Sequence, residues 1–210
     1  AISIDQKSTS RNPRSTVGTV TEIYDYLRLL FARVGQQHCI KCNEKIVKYA
    51  PQDIAEHIKT LPDQTKFIIM SPIARKKKQN FKQILQTFLK EGFIRARVNG
   101  KIEDISEIYT KMSTRKQYTI EIVIDRIIKK ENIYDRLIQS LELAYKVGKG
   151  SLILSHDSND YFYSESLYCY KDDIEYRELQ PSSFSFNSPL GACSTCDGLG
   201  TSFEIDPDLV

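Results

Sequence analysis

The sequence predicts an α+β fold: a compact insertion module of three helices and a mixed or antiparallel sheet, framed by two cysteine pairs. Three observations carry this. Apolar residues recur at helical spacing in three separate stretches between Tyr49 and Glu165. Short runs between them alternate apolar and polar side chains, and Asn99-Gly100 gives a type I′ hairpin signal between two such runs. Cys39-Ile-Lys-Cys42 and Cys193-Ser-Thr-Cys196 stand on either side of this block.

The bulk numbers set limits. With 210 residues, 40% hydrophobic and 27% charged, the chain is ordinary globular material for one large domain or two small ones. Thirty basic against 27 acidic residues leave a net charge of +3. That balance alone says nothing about nucleic acid; clustering has to carry any such claim. No apolar run approaches about 18 residues, so no membrane span is expected. Five cysteines, two Cys-x-x-Cys pairs among them, argue for a metal in a reducing cytoplasm over disulfides. The chain opens at Ala1 without a Met or a signal peptide and reads as a piece of a longer protein.

Ala1 to Asp5 reads as a short strand. Gln6 to Ser15 is a polar, basic loop; Arg11 and Arg14 suit phosphate contacts, and a solvated loop is the plainer reading. Val20, Ile23, Tyr24, Leu27, Leu30, Phe31 and Val34 form one helical stripe, with Gly35 placed to end it. That stripe reads as core, packed on something large. Cys39 and Cys42 follow in a polar connector, residues 37–48. On their own they are weak evidence for metal; beside a second pair they are stronger.

The module, residues 49–165, begins with Pro51 opening a helix that carries Ile54, Ile58 and Leu61. Phe67 to Met70 reads as a strand and Arg75 to Lys78 as a charged loop. Phe81, Ile84, Leu85, Phe88 and Leu89 mark a second helix, stopped by Gly92. Phe93 to Val98 and Lys101 to Ile105 form the hairpin, and Tyr118 to Ile128 is the longest predicted strand. Ile133, Leu137, Ile138, Leu141 and Tyr145 mark a third helix, ended by Gly148 and Gly150. Ser151 to His156 and Tyr161 to Ser164 close as a second hairpin.

This module shows no Ser/His/Asp set, no paired carboxylates and no phosphate-binding glycine loop. Its distinctive feature is Phe93-Ile-Arg-Ala-Arg-Val98. Alternation puts Ile94, Ala96 and Val98 on one face and Phe93, Arg95 and Arg97 on the other. Arginine beside aromatics suits a protein-binding face or phosphate, against the alternative of a solvated sheet face. Asp125-Arg126 interrupts the longest strand in a similar way.

The last segment, residues 166–210, contains Phe184-Ser-Phe-Asn-Ser-Pro-Leu-Gly-Ala-Cys-Ser-Thr-Cys-Asp-Gly-Leu-Gly200. Phe184 and Phe186 alternate as a short strand would place them. Two cysteines in a Gly- and Ser-rich turn can reach one tetrahedral ion, so the stretch reads as half of a zinc ribbon whose other half lies upstream.

This stretch resembles the zinc-module signature of the UvrA family, the damage-sensing ATPase subunits of bacterial nucleotide-excision-repair excinucleases. Ala1-Ile-Ser-Ile-Asp-Gln-Lys and Thr9 to Gly35 are similar to the same family just after its first ATP-binding motif. The resemblance implies that Gln6 is a Q-loop glutamine that senses nucleotide and Mg²⁺, and that residues 1–36 belong to an ABC-type ATPase domain. It implies that residues 49–165 dock the partner UvrB, with Arg95, Arg97 and Arg126 as the expected contacts to its acidic residues; the alternative is a zinc-ribbon nucleic-acid-binding module without a docking role, with Arg11, Arg14 and Arg75 to Lys78 on phosphates. It further implies a parent protein that hydrolyses ATP, forms a UvrA homodimer and acts on damaged double-stranded DNA. Gly-x-x-x-x-Gly-Lys-Ser/Thr, an ABC signature and a Walker B pattern are all missing from this sequence, so ATP hydrolysis is expected of the parent only.

The family pairs one Cys-x-x-Cys with another roughly 24 residues further on. Here the first of these reads Cys169-Tyr-Lys-Asp172, with Asp172 where a cysteine is expected. The resemblance therefore gives Cys169, Asp172, Cys193 and Cys196 as a harder Cys₃Asp zinc site. The rival set is Cys39 and Cys42 with Cys193 and Cys196, and a member without metal is the third reading.

Overall fold

The structure, a computed structural model, describes residues 17–200. The readings placed on Ala1 to Asp5, Gln6, Arg11 and Arg14 lie outside the described residues. The chain divides into two compact units: one runs from Cys39 to Tyr176, and the other joins residues 1–38 to residues 177–210. The module expected over 49–165 is thus part of a larger unit that takes in Cys39, Cys42, Cys169 and Asp172.

In the second-named unit, helices α1 (Val17–Val20) and α2 (Ile23–Val34) are separated by Glu22, whose φ of 62° breaks the helix. Gly35 ends α2, with its N–H on the Phe31 carbonyl. The stripe expected to be core buries no residue in this chain: Leu27, Leu30 and Phe31 are 43%, 54% and 53% exposed. Pro181–Phe184 form a 3-10 turn in place of the expected strand. Its Phe184 ring packs on Phe31 and the Phe186 ring on Tyr24, whose hydroxyl donates to the Phe184 carbonyl. Gly191 and Gly198 are needed here. A Cβ on Gly191 would meet the Ser183 carbonyl oxygen at 2.6 Å, and one on Gly198 (φ +80°) the Phe186 oxygen at 2.0 Å.

The larger unit begins its regular structure with α3 (Pro51–Thr60), where Pro51 sits at the first position and the Asp53 carboxylate accepts from the Ala50 N–H at 2.8 Å. Strand β1 (Lys66–Lys77) runs straight through the stretch read as a charged loop, and at 12 residues it exceeds β4 (Tyr118–Ile128, 11 residues). Pairing with β4 carries it: Ala74 faces Ile120 and Lys77 faces Tyr118. Between them come α4 (Phe81–Lys90), β2 (Arg95–Val98), β3 (Lys101–Asp104) and the short α5 (Ile105–Ile108). Then follow α6 (Tyr134–Val147), β5 (Ser151–His156) and β6 (Asn159–Ser164). All six strands form one antiparallel sheet in the order β3-β2-β4-β1-β5-β6. A separate two-stranded ribbon pairs β7 (Tyr168–Cys169) with β8 (Ile174–Glu175).

The helices cover one sheet face in two adjoining clusters. Ile54, Ile58, Leu137 and Leu141 of α3 and α6 meet Phe67, Ile69 and Leu154, while Phe81 and Leu85 of α4 meet Ala96, Ile120 and Ile122. Buried Ser71 donates to the Ala144 carbonyl at 2.7 Å and so ties β1 to α6. The other face is smaller: Met70, Val123 and Ile153 with Phe162 and Tyr170.

One expected face changes. Ala96 is fully buried, but Ile94 is 67% exposed and Phe93 packs into the helix cluster. The strand starts only at Arg95, because Phe93 closes the end of α4. Its N–H bonds the Phe88 carbonyl at 3.0 Å and its ring packs edge-on against Phe88, the hydrophobic contact of a helix C-terminal cap after Gly92 at φ 95°.

Candidate metal centre and interaction face

Four ligand atoms gather where the chain enters and leaves the larger unit. The thiols of Cys39, Cys42 and Cys169 and a carboxylate oxygen of Asp172 all lie within 4.8 Å of one another. Two tight turns build the cluster. Asn43, at φ 59°, donates its N–H to the Cys39 carbonyl (2.9 Å) as the Cys39 N–H reaches back to Glu44 (2.8 Å). Asp173, at φ 57°, turns β7 into β8. Cys39 and Cys169 are buried beside Ile46, Leu167 and Ile174.

The expected set joined Cys169 and Asp172 to Cys193 and Cys196. The structure brings Cys169 and Asp172 together with Cys39 and Cys42, while Cys193 and Cys196 belong to the other unit. The sequence carried this signal in two facts: Cys39 and Cys42 precede the module, and Cys169 and Asp172 follow it directly. Cys193 and Cys196 sit in a turn of their own, where the Asp197 N–H bonds the Cys193 carbonyl and the Gly200 N–H points at the Cys196 sulfur (3.2 Å). With only five cysteines in the chain, that pair holds two of the four thiolates an all-cysteine site needs.

The donor set fits a tetrahedral metal. Sulfurs bound at about 2.3 Å from one ion lie roughly 3.8 Å apart, and Cys42 and Cys169 are 3.5 Å apart. The candidate ligands perturb one another's titration. The Asp172 carboxylate beside it pushes the Cys42 thiol up to about 12. In return, hydrogen bonds from Cys42 and Cys39 hold Asp172 below the usual carboxylate range. Burial pushes the Cys39 thiol up, but the Cys42 N–H and the Tyr176 hydroxyl outweigh it and the net shift is downward. Tyr176 donates to the Cys39 sulfur at 3.2 Å while accepting from the Ile40 N–H at 3.0 Å, an outer contact that orients the ligand. Three thiolates and one carboxylate suit a divalent ion of zinc's class, with a harder donor at Asp172.

The arginines singled out in the sequence divide. Arg97 is engaged inside the module on the second sheet face. Its Nε and Nη2 fork Glu121 at 3.2 and 3.3 Å and its Nη1 reaches Asp160 at 3.0 Å. Burial raises the Glu121 carboxyl and Arg97 opposes that rise. These groups, with Tyr163 and Tyr170, line a cleft of about 750 Å³ that runs to Cys169. Arg75, read as a loop residue, ties β1 to the ribbon segment: its guanidinium donates to the Tyr170 and Lys171 carbonyls and lies over the Tyr170 ring.

Arg95 and Arg126 instead face solvent around a hollow of about 420 Å³ lined by Phe93, Ile94, Asp125 and Arg136. Arg95 pairs with Asp104 at 3.1 Å, both side chains about two-fifths exposed. Arg126 is exposed, and its guanidinium makes no ion pair among the described residues. Arg136 was missed in the sequence, since only the fold brings α6 beside β4. It grips Asp125 through Nε (3.0 Å) and Nη2 (2.8 Å), helped by Ser140 at 2.8 Å. The exposed Ile94 supplies an apolar floor between these cations.

The UvrA interaction domain family matches residues 50–158, which is just over half of the chain and spans α3 to β5. The chain belongs to the UvrA family. It is 49% identical over 211 residues to UvrABC system protein A of Clostridium perfringens (strain 13 / Type A) and 48% identical to that of Clostridium tetani (strain Massachusetts / E88). Identity to the Streptomyces avermitilis protein of the same name is 45% over 217 residues. Each match covers all of this chain but only 21–22% of the relative, so the chain spans about a fifth of the length of these UvrA proteins. The matched UvrA interaction domain contains the guanidinium-lined hollow and the Arg97–Glu121 pair, while Asp160 falls just beyond it. The cluster of Cys39, Cys42, Cys169 and Asp172 lies outside it, on both flanks.

Proposed function

We propose that this chain is the part of a UvrA protein that docks UvrB in nucleotide excision repair and ties the docking module to an ABC-type ATPase core acting on damaged DNA. The observation that carries this is the open hollow around Arg95, Arg126 and Arg136, placed inside the matched interaction domain. Guanidinium groups beside an exposed apolar residue make a surface for carboxylates of a partner protein. Arg97 acts as a positioning residue that fixes β2 through Glu121. Cys39, Cys42, Cys169 and Asp172 hold zinc as a clip across the stem of the module. The half-exposed stripe of α2 packs against the ATPase core, which the UvrA homodimer contains together with its nucleotide sites. No helix among the described residues is long and apolar enough to cross a membrane, in keeping with a cytoplasmic bacterial repair protein.

Calorimetric titration of the chain with UvrB tests the docking role. Arg95→Ala and Arg126→Ala should each weaken binding at least about tenfold, within the range for truncating one member of an interfacial charge pair. The absence of binding by the unsubstituted chain, or affinities unchanged in both variants, would remove the docking reading.

A further inference from the structure

The end of the sheet opposite the docking hollow is strongly basic. From Gln64 to Lys90, and again from Ile108 to Ile120, the sequence contains no acidic residue. The β1–β4 pairing joins these two stretches, with Lys77 opposite Tyr118. The β2–β3 turn lies beside them: the Asn99 N–H bonds the Thr119 carbonyl (2.9 Å), and the Asn99 side chain accepts from the Thr119 N–H (3.0 Å). Lys76, Lys77, Lys78, Lys101, Arg115 and Lys116 therefore collect at one edge. All six are exposed, and none pairs with a carboxylate among the described residues.

The backbone spreads these cations across one surface. The register moves by one residue between Ala74 and Lys77, and Lys76 takes φ 47°. Such a bulge breaks strict alternation, so consecutive lysines are not sent to opposite faces. The Lys76 N–H is pinned to the Thr119 hydroxyl at 3.2 Å. Neighbouring strands are about 4.8 Å apart, and β3, which carries Lys101, lies three spacings from β1, so the cations spread over roughly 14 Å before side-chain reach is counted.

We propose that this edge binds the sugar–phosphate backbone of a nucleic-acid duplex, as a surface separate from the partner-docking hollow. Tyr118 and Arg126 lie at opposite ends of β4, about 27 Å apart at strand rise, so the two surfaces are free to engage different partners. The composition favours nucleic acid over an acidic protein. Protein interfaces are poor in lysine and need an apolar centre, whereas this edge is mostly lysine. No large exposed apolar side chain falls within 75–82 or 109–118. Duplex DNA presents about one charge per 1.7 Å of axis, which matches a dense, carboxylate-free row of cations and demands no base recognition.

The test uses the whole chain and a fluorescein-labelled mixed-sequence duplex of about 20 base pairs, followed by anisotropy from about 50 to 300 mM KCl. The unsubstituted chain should bind with a log affinity that falls linearly with log salt. The triple variant Lys76→Ala/Lys77→Ala/Lys116→Ala should bind at least about tenfold more weakly at the lowest salt. Its slope should be shallower by up to about 2.7, at roughly 0.9 per lost phosphate contact. Lys→Arg at the same three positions should retain binding, and Arg126→Ala should leave it unchanged, which separates this surface from the docking reading. Identical circular dichroism spectra confirm that the variants are folded. The inference is overturned by a chain that does not bind the duplex or by an unchanged slope in the triple variant. It is equally overturned if poly-glutamate binds as tightly as the duplex and loses as much affinity in that variant.

Discussion

Truncating Arg97 should destabilise the larger unit in a way that depends on pH. Its side chain is 14% exposed and that of Glu121 only 5%, so Arg97→Ala leaves a carboxylate in a nearly dry place without its forked partner. Removing one member of a buried pair costs about 3–5 kcal/mol. The second contact, to the 45%-exposed Asp160, adds at most about 1 kcal/mol because solvent screens it. Burial already raises the Glu121 carboxyl in the native protein, and losing the guanidinium raises it further. An acid with a raised folded pKa is not penalised below its unfolded value, and it loses stability as pH rises toward the folded value. The variant should thus lose little near pH 4 and about 3–5 kcal/mol near pH 7, read from urea unfolding followed by circular dichroism. The double variant Arg97→Met/Glu121→Leu should recover most of the loss, since it removes both buried charges together. A deficit below about 1 kcal/mol at neutral pH, or one of equal size at both pH values, would refute the reasoning.

Further expectations concern the other parts of the molecule. Cobalt(II) should give tetrahedral thiolate bands, lost in Cys42→Ser and Cys169→Ser, kept in Cys193→Ser/Cys196→Ser, and formed at lower cobalt in Asp172→Cys, because a fourth thiolate replaces the harder oxygen. Burial raises Asp125, yet Arg136, Ser140 and the Arg126 N–H pull it below its ordinary value overall. Its contribution is therefore present above about pH 4 and lost as pH falls through the folded value. Asp125→Asn should cost about 1 kcal/mol at pH 7 in urea unfolding and almost nothing near pH 2, given that Arg136 is 65% exposed. Gly198→Ala and Gly200→Ala both place an L-residue at φ near +80°, but only the first drives a Cβ onto backbone, at 2.0 Å from the Phe186 oxygen. Limited proteolysis should show cleavage near Phe186 rising strongly in the first variant and little in the second.

Most of the module was legible because its elements follow their own periods. The stripes of α3, α4 and α6, and the recurrence of Ile120, Ile122 and Ile124 on the helix-covered face of β4, reflect packing that a local pattern reports directly. The errors fall where a distant partner decides. Arg75 to Lys78 read as a charged loop because the pairing of Ala74 with Ile120 and Lys77 with Tyr118 is invisible in a local window. Phe93 was given to a strand because a helix cap that uses the residue after Gly92 has no period. Arg97 looked as available as Arg95, since only the register of β2 on β4 puts Glu121 beside it. Arg136 had no signal at all, because a helix residue meets Asp125 only through tertiary packing. The cysteines stood out as candidate ligands by type and spacing, but spacing alone could not choose between pairs 24 residues apart and pairs at the two ends of a folded module.

The cluster's place in the chain decides what a metal held there would do. Cys42 and Cys169 are 127 residues apart in sequence, and closing a loop of that size restricts the unfolded chain by about 5 kcal/mol in the chain-entropy account. The six-stranded sheet has three clusters of buried apolar residues and does not need that help to fold. The stem does: its core is Cys39, Ile46 and Cys169 with three partly buried neighbours, far too little apolar area to hold a two-stranded ribbon in place. A clip at this point therefore stiffens the stem more than it stabilises the module. With Asp172 in place of a fourth thiolate, the set would hold zinc less tightly than four cysteines would. The consequence would be felt first where the chain passes into and out of the sheet domain, at the residues that join that unit to the rest of the chain.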